Sequence, residues 1–488
     1  MDVPKLVSFE GQLQLALSTV HTLKKTSIAA INRLPQEVIA LVPTHFDPRS
    51  PGDTLNATHV CRYWRAALVS SPTLWTITDA TRMMPSLIQL YLERSGMSPL
   101  DVTLGAKTPE HTLQKFVERA PRIRLLSFEV MPWTTWKAVS ECFSVSALHT
   151  LSDLRISAET EVGSTGLDSA LFPHAPNLRH LFFQISGPPV PILPHISFPS
   201  LKTIEITFQG GYTSHLIATL GQLLGVLRSS PLLEDVSLKF HELTIEPGVS
   251  HHSVLLPRLQ KFYIACGSTP IPLLTSINFP PTACVLARAG SIGGRPSDDQ
   301  ICLFGRHLSP LVSGSDELIF HSSKPVYSSK TLFLFTLHLK RNGETRVQLQ
   351  YWIVDHPMSS EQTLVFLAAC PLGTIRRFLI EGRTVRKDVT DNQVSGTMQH
   401  LTNVETLLLR NSAHLLPLLL PGIQGGQAPC PTLKTLVIDG NQEVPHQELS
   451  EVVRARAEAG SPLRRVILPA GYPEGVVGEL HQFVNDVE

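Results

Sequence analysis

One eight-residue phrase, P-x-L-x-x-Φ-x-Φ with Φ an apolar residue, recurs along this chain and restricts its fold more than any other feature. It reads PRIRLLSF from Pro121, PNLRHLFF from Pro176, PSLKTIEI from Pro199, PLLEDVSL from Pro231, PRLQKFYI from Pro257 and PTLKTLVI from Pro431. Looser copies are LSDLRI from Leu151, IRRFLI from Ile375, VETLLL from Val404 and LRRVIL from Leu463. The first apolar position falls at 123, 151, 178, 201, 233 and 259, then at 375, 404, 433 and 463, so the period is mostly between 23 and 32 residues. Alternating apolar letters after a proline-led turn describe a short strand with one buried face. A unit of this size cannot bury that face alone, so the units must stack and share one core. Helical patterns of suitable length lie between the phrases at 109–120, 214–230, 359–370 and 445–460. The expected fold class is therefore α/β, with strand, loop, helix and turn alternating around a parallel sheet.

The phrase and its period resemble leucine-rich repeats of irregular type, and the resemblance implies a solenoid over 81–488. The asparagine that follows the strand in regular repeats has a counterpart only at Asn441; Ser186, Gln209, His241, Gly267 and Ser412 stand there in other units. Side chains between the Φ positions face outward in such a sheet and are the candidates for holding a target protein. They include His180 and Phe182, Glu205, Asp235, Lys261 and Tyr263. Phe182 and Tyr263 are the aromatic anchors of that set, since a few buried aromatics carry most of the affinity of a protein interface.

The stretch of about 270–357 departs from the rhythm. It is rich in Pro, Gly and Ser, yet contains ACVLA, DELIFHS, TLFLFTLHL and TRVQLQYWIV, the last two separated by KRNGE. Asn342-Gly343 is a strong hairpin signal. Either the repeat array continues with a hairpin inserted, which is the preferred expectation, or a separate β element interrupts it.

Ahead of the repeats, 1–30 carries one amphipathic helix, with Leu13, Leu17 and Val20 at helical spacing. A small helical module follows over 31–80. Pro35 suits a helix first turn, Glu37 favours its positive end, and Leu34, Val38, Leu41 and Val42 share a face that Pro43 cuts short. Asp53 or Thr54 can cap a second helix, on which Ala57, Val60, Cys61, Trp64, Ala67 and Leu68 keep helical spacing. The order LPxEV, VCRxW, then LW after a further proline resembles an F-box, the segment by which a family of adaptors holds the Skp subunit of a cullin-based ubiquitin ligase. Leu34, Pro35, Val38, Val60, Cys61, Trp64, Leu74 and Trp75 match that order, and the resemblance implies that they form the adaptor-binding face or its support. A module this small must also bury something internally, so some of the eight belong to its core.

Composition narrows the alternatives. Lys+Arg and Asp+Glu are both 41, and no basic run appears, so the electrostatic footprint of nucleic-acid binding is missing. The seven cysteines form no CxxC pair, which fits reduced thiols in cytosol or nucleus. The N-terminus does not read as a secretion signal, and the most apolar run, LLPLLLPGI, is too short to span a membrane. GSIGGRP from Gly290 lacks the lysine of a phosphate loop and a following helix pattern. No nucleophile elbow, HExxH or spaced ligand set occurs, so no enzyme activity, metal or cofactor is expected. The resemblances together imply a substrate-recognition adaptor of a Skp-cullin-F-box ubiquitin ligase, with the solenoid binding a target. The alternative is a repeat scaffold that holds protein partners without leading to their degradation, with or without Skp.

Overall fold

A computed structural model describes residues 11–21, 34–46, 51–144, 148–159, 175–186, 198–209, 217–240, 242–244, 253–267, 269–289, 297–323, 332–354, 369–381, 398, 401–420, 428–440 and 445–488. It is a mixed α/β protein with a large, mostly parallel sheet, in two compact units, Met1–Arg155 and Ile156–Glu488.

The first unit begins with a helix over 11–21 that is exposed along its length, so its apolar stripe packs on nothing among the described residues. The helical module follows as α1 (Gln36–Leu41), α2 (Pro51–Ala57) and α3 (Arg62–Val69). Then come β1 (Ile77–Asp79), α4 (Pro85–Arg94), β2 (Leu100–Gly105), α5 (Glu110–Val117), β3 (Ile123–Pro132) and α6 (Trp133–Ser144). The three strands are parallel, with Ile77 opposite Asp101 and Val102 opposite Leu126. Alternation works as expected on β2: Leu100, Val102 and Leu104 are buried, with Asp101 and Thr103 less so. Pro85 opens α4 at its first turn, and Gly96, at φ +54°, takes the left-handed position just beyond its end.

The unit boundary falls inside β4 (Asp153–Glu159). The second unit contains β5 (His180–Ser186), β6 (Thr203–Gln209), β7 (Asp235–Phe240), β8 (Lys261–Cys266), β9 (Cys284–Ala289), β10 (Glu317–Ser323), β11 (Leu332–Arg341), β12 (Glu344–Val354), β13 (Arg377–Glu381), β14 (Thr406–Arg410), β15 (Thr435–Asp439), β16 (Arg465–Ile467) and β17 (Asp486–Val487). Its helices include α7 (Leu220–Arg228), α8 (Ile271–Thr275), α9 (Asp298–His307), α10 (Ser309–Val312), α11 (His446–Glu458) and α12 (Glu474–Leu480). Strands β5 to β9 lie side by side in chain order and parallel. Next to β9 comes β12, then β11, then β10, then β13 and the rest in order. Among the described strands of this sheet only β11 runs against its neighbours.

Strands β9 to β12 of the 270–357 stretch therefore belong to the same sheet. Its hairpin turns at Asn342 and Gly343, both at positive φ (+53° and +80°), as a type I′ turn demands. One antiparallel strand is thereby inserted, and parallel pairing resumes on both sides. Sequence pattern missed several helices, among them α4, α6, α12 and, within this stretch, α8, α9 and α10; α9 carries the clearest start signal. Ser297 caps it, accepting from the Gln300 N–H while the Gln300 side chain accepts from the Ser297 N–H, a capping box.

The phrase itself has a physical reading. Before each strand an i→i+3 turn closes: Leu178 N–H to Ala175 O, Leu201 to Phe198, Leu233 to Ser230, Leu259 to Leu256 and Leu433 to Cys430. The residue just before the strand then offers one carbonyl to two successive N–H groups of the next unit. Lys202 O serves Glu234 and Asp235, Glu405 O serves Lys434 and Thr435, and Lys434 O serves Arg464 and Arg465. Both lone pairs are used, and the strand entries lock in register. Register aligns the inward residues: Leu181, Ile204, Val236, Phe262, Val285 and Val347 form one buried row, and Leu318, Phe378, Leu407, Leu436 and Val466 another. Burying each such side chain contributes roughly 1.5–3 kcal/mol, which is why so irregular a repeat still holds its period.

None of the seven cysteines is in a disulfide. Burial pushes the Cys370 and Cys430 thiols up to about 12, and only the thiolate is a strong nucleophile. At about pH 8, iodoacetamide is expected to alkylate the exposed Cys142 in the folded chain and to leave Cys370 and Cys430 unmodified until urea unfolds it. Peptide mass spectrometry reads this directly, and equal labelling of all three in the folded chain would contradict the packing.

Candidate functional site

Two surfaces carry residues singled out from the sequence. The first is on the helical module. Its interior holds Ile39, Ala57, Trp64, Ala67 and Leu68, with Val42, Phe46, Cys61, Tyr63 and Leu74 packed against them. Of α1, only Ile39 is buried. Leu34, Val38 and Leu41, three positions at helical spacing, are 37%, 40% and 58% exposed. The apolar face of this helix thus points to solvent, while one isoleucine anchors the opposite side. Pro35 is the N-cap residue rather than the first helical one, and its carbonyl accepts from Val38 and Ile39. Tyr63 fixes the entry by donating its hydroxyl to Leu34 O at 2.9 Å.

The single second helix expected from spacing is two helices. The chain leaves α2 after Ala57, and Thr58 ties back by donating its hydroxyl to Leu55 O. Arg65 Nε braces the break by donating to Thr58 O at 3.1 Å. Cys61, extended at φ −159°, becomes the N-cap of α3, its Sγ accepting from Trp64 N–H at 3.5 Å. The break ejects Val60, which is 60% exposed. The eight matched residues are thereby sorted: Leu34, Pro35, Val38 and Val60 are on the surface, Cys61 and Leu74 are half-buried supports, and Trp64 and Trp75 are core. Trp75 is 0% and Trp64 8% exposed, so both serve the interior of the folded module. Leu41, which lay on the expected face but outside the matched set, joins the surface group.

The second surface is the outward face of β5 to β9. His180, Thr203, Asp235 and Lys261 stand in one register row; Phe182, Glu205, Ser237 and Tyr263 stand in the next. His180 and Lys261 are exposed, and the others are half-buried. Sequence spacing thus places all the target-binding candidates on one face. Lys239, two residues along β7 from Ser237, joins the rows: its Nζ is 2.9 Å from Glu205 Oε1 and 5.8 Å from the Tyr263 ring centre. The anchors Phe182 and Tyr263 are three strands apart, about 14 Å at ordinary strand spacing, so they cannot share one pocket. Burial raises the Asp235 carboxyl, Lys261 opposes the rise and Glu205 adds to it. A raised carboxyl is held protonated more firmly in the folded state, so its stabilisation is present at low pH and is lost as pH rises through the folded value.

The same face over β10 and β13 to β16 has a character that the looser phrases concealed. Ile319, Leu379, Leu408, Val437 and Ile467 form a half-buried apolar row. Beside it His321, Glu381, Arg410 and Asp439 make a charge ladder, with Arg410 Nε 2.9 Å from Asp439 and Arg410 Nη1 3.5 Å from Glu381. Among the described residues no cluster of three or more His, Cys, Asp or Glu could hold a metal ion, and no helix is long and apolar enough to cross a membrane. Asn441 and the GSIGGRP stretch lie outside the described residues.

These features define an α/β protein with an apolar ridge on a helical module and a polar, aromatic-bearing sheet face in its second unit. No protein-family model matches the chain, and no curated protein matches it.

Proposed function

We propose that this chain is a non-catalytic substrate-recognition adaptor of a Skp-cullin-F-box ubiquitin ligase, working in cytosol or nucleus. In this reading the helical module is an F-box that docks the Skp-family adaptor, and through it a cullin, while 81–488 is an irregular leucine-rich-repeat solenoid that holds the target. The observation that carries the reading is that Leu34, Val38 and Leu41, at helical spacing along α1 and its entry, are exposed, as is Val60 in the turn before α3, on a module whose core is already filled by other residues. Apolar side chains exposed together on a small helix cost solubility unless a partner covers them. The motif order LPxEV, VCRxW and LW runs through the same elements. Such a protein acts by proximity: holding adaptor and target at once raises the effective concentration of target lysines near the conjugating enzyme.

The test is to capture partners of the intact chain and of a chain lacking 31–80 in cells with the proteasome blocked. Partners that carry ubiquitin only with the intact chain support the receptor. Partners bound equally and left unmodified in both mark a scaffold.

A further inference from the structure

The second unit carries a cleft of about 580 Å³ that the adaptor reading does not use. It lies where β13 to β16 begin, walled by the turns that precede them. The charged residues lining it are Arg376, Glu405, Lys434 and Arg464. Each is the residue immediately before its strand, so the shared-carbonyl bonds place them side by side. Lys434 Nζ is 3.3 Å from Glu405. Among the described residues the side chains of Arg376 and Arg464 make no hydrogen bond or ion pair, and both residues are exposed.

A further positive charge stands behind the wall. Arg456 of α11 is 0% exposed, and its guanidinium donates to Pro429 O at 2.7 Å and Cys430 O at 2.9 Å, in the turn leading to β15. Its own carbonyl accepts from the N–H of Ser461, which also lines the cleft. No carboxylate among the described residues pairs with Arg456, and its Nε has no partner. A buried cation left without a counter-ion raises the local potential more than an exposed one does.

We propose that this cleft binds a small organic phosphate, with the phosphate-monoester dianion held by Arg464 and Lys434 and the body of the molecule lying past Glu405 toward Arg376. Guanidinium and ammonium groups side by side suit a dianion, and the volume is that of a small-molecule site. An extended phosphopeptide fits less well, because the carbonyls of Arg376, Glu405 and Lys434 each already accept two backbone bonds and offer no ladder for pairing. The site is independent of the helical module and of the adaptor reading.

The experiment is isothermal titration calorimetry on the full chain with phenyl phosphate as probe. Saturable one-to-one binding is expected, weakened at least about tenfold by Arg464→Gln and weakened by raising salt. Glu405→Gln removes the one carboxylate of the lining and is expected to tighten binding, a gain that a damaged fold would not produce. Absence of saturable binding, indifference to both substitutions, or inorganic phosphate binding as tightly as phenyl phosphate would overturn the proposal. So would a phosphoserine peptide that binds where phenyl phosphate does not.

Discussion

Trp75→Ala is expected to destabilise the first unit by about 3–5 kcal/mol, the range for removing a large buried aromatic. Trp75 is 0% exposed and joins α3 to α4. Its indole N–H donates to Leu68 O at the end of α3 (2.9 Å), its ring meets Tyr91 of α4 edge-on at 4.9 Å, and the Arg94 guanidinium lies 4.4 Å over it. Removing it opens a cavity, takes one donor from the Leu68 carbonyl, which keeps the Ser71 N–H, and leaves Arg94 without its aromatic face. Trp75→Phe keeps most of the volume and loses only the N–H, so about 1–2 kcal/mol is expected there. Urea unfolding followed by circular dichroism measures both. A loss under about 1 kcal/mol for the alanine variant would mean that the module does not lean on α4 as described.

The opposite behaviour is expected of the exposed apolar residues. Val38→Asp and Val60→Asp replace side chains 40% and 60% exposed, so each should change stability by no more than about 0.5 kcal/mol. Each places a charge where the partner supplies apolar surface, so each should weaken Skp binding by about 2 kcal/mol or more, roughly thirtyfold. Trp75 variants weaken binding only as far as they unfold the module. Measuring urea midpoints and adaptor affinity on the same preparations separates the two causes.

How much of this was legible in the sequence depends on what periodicity can encode. Alternation after a proline turn located the strands closely: PSLKTIEI predicts a strand where β6 runs from Thr203, and PTLKTLVI where β15 runs from Thr435. Asn342-Gly343 announced the hairpin, although only the pairing of β12 with β9 and of β10 with β13 showed that the insertion stays within the sheet. Periodicity says which residues share a face and not which way it points. Spacing groups Leu34, Val38, Leu41 and Val42 on one face, yet only the first three are exposed; Val42 packs on the core, as does Ile39. The i, i+3, i+4 pattern also ran unbroken across 57–64, because the break there depends on a threonine hydroxyl and a cysteine cap that leave no mark in hydrophobic spacing. The charged residues of the cleft escaped for a similar reason: Arg376, Glu405, Lys434 and Arg464 occupy free letters of the phrase, and only the shared-carbonyl register shows that they are neighbours.

The central claim is that the exposed apolar residues of α1 and its entry, together with Val60, dock a Skp-family adaptor. It is tested most directly by mixing purified Skp adaptor with the intact chain and with a Leu34→Ala, Pro35→Ala, Val38→Asp variant whose circular dichroism matches the parent. Capture of the adaptor by the intact chain and its loss in the equally folded variant is the predicted result. Failure of the folded intact chain to bind, or binding that the variant retains in full, would contradict the account.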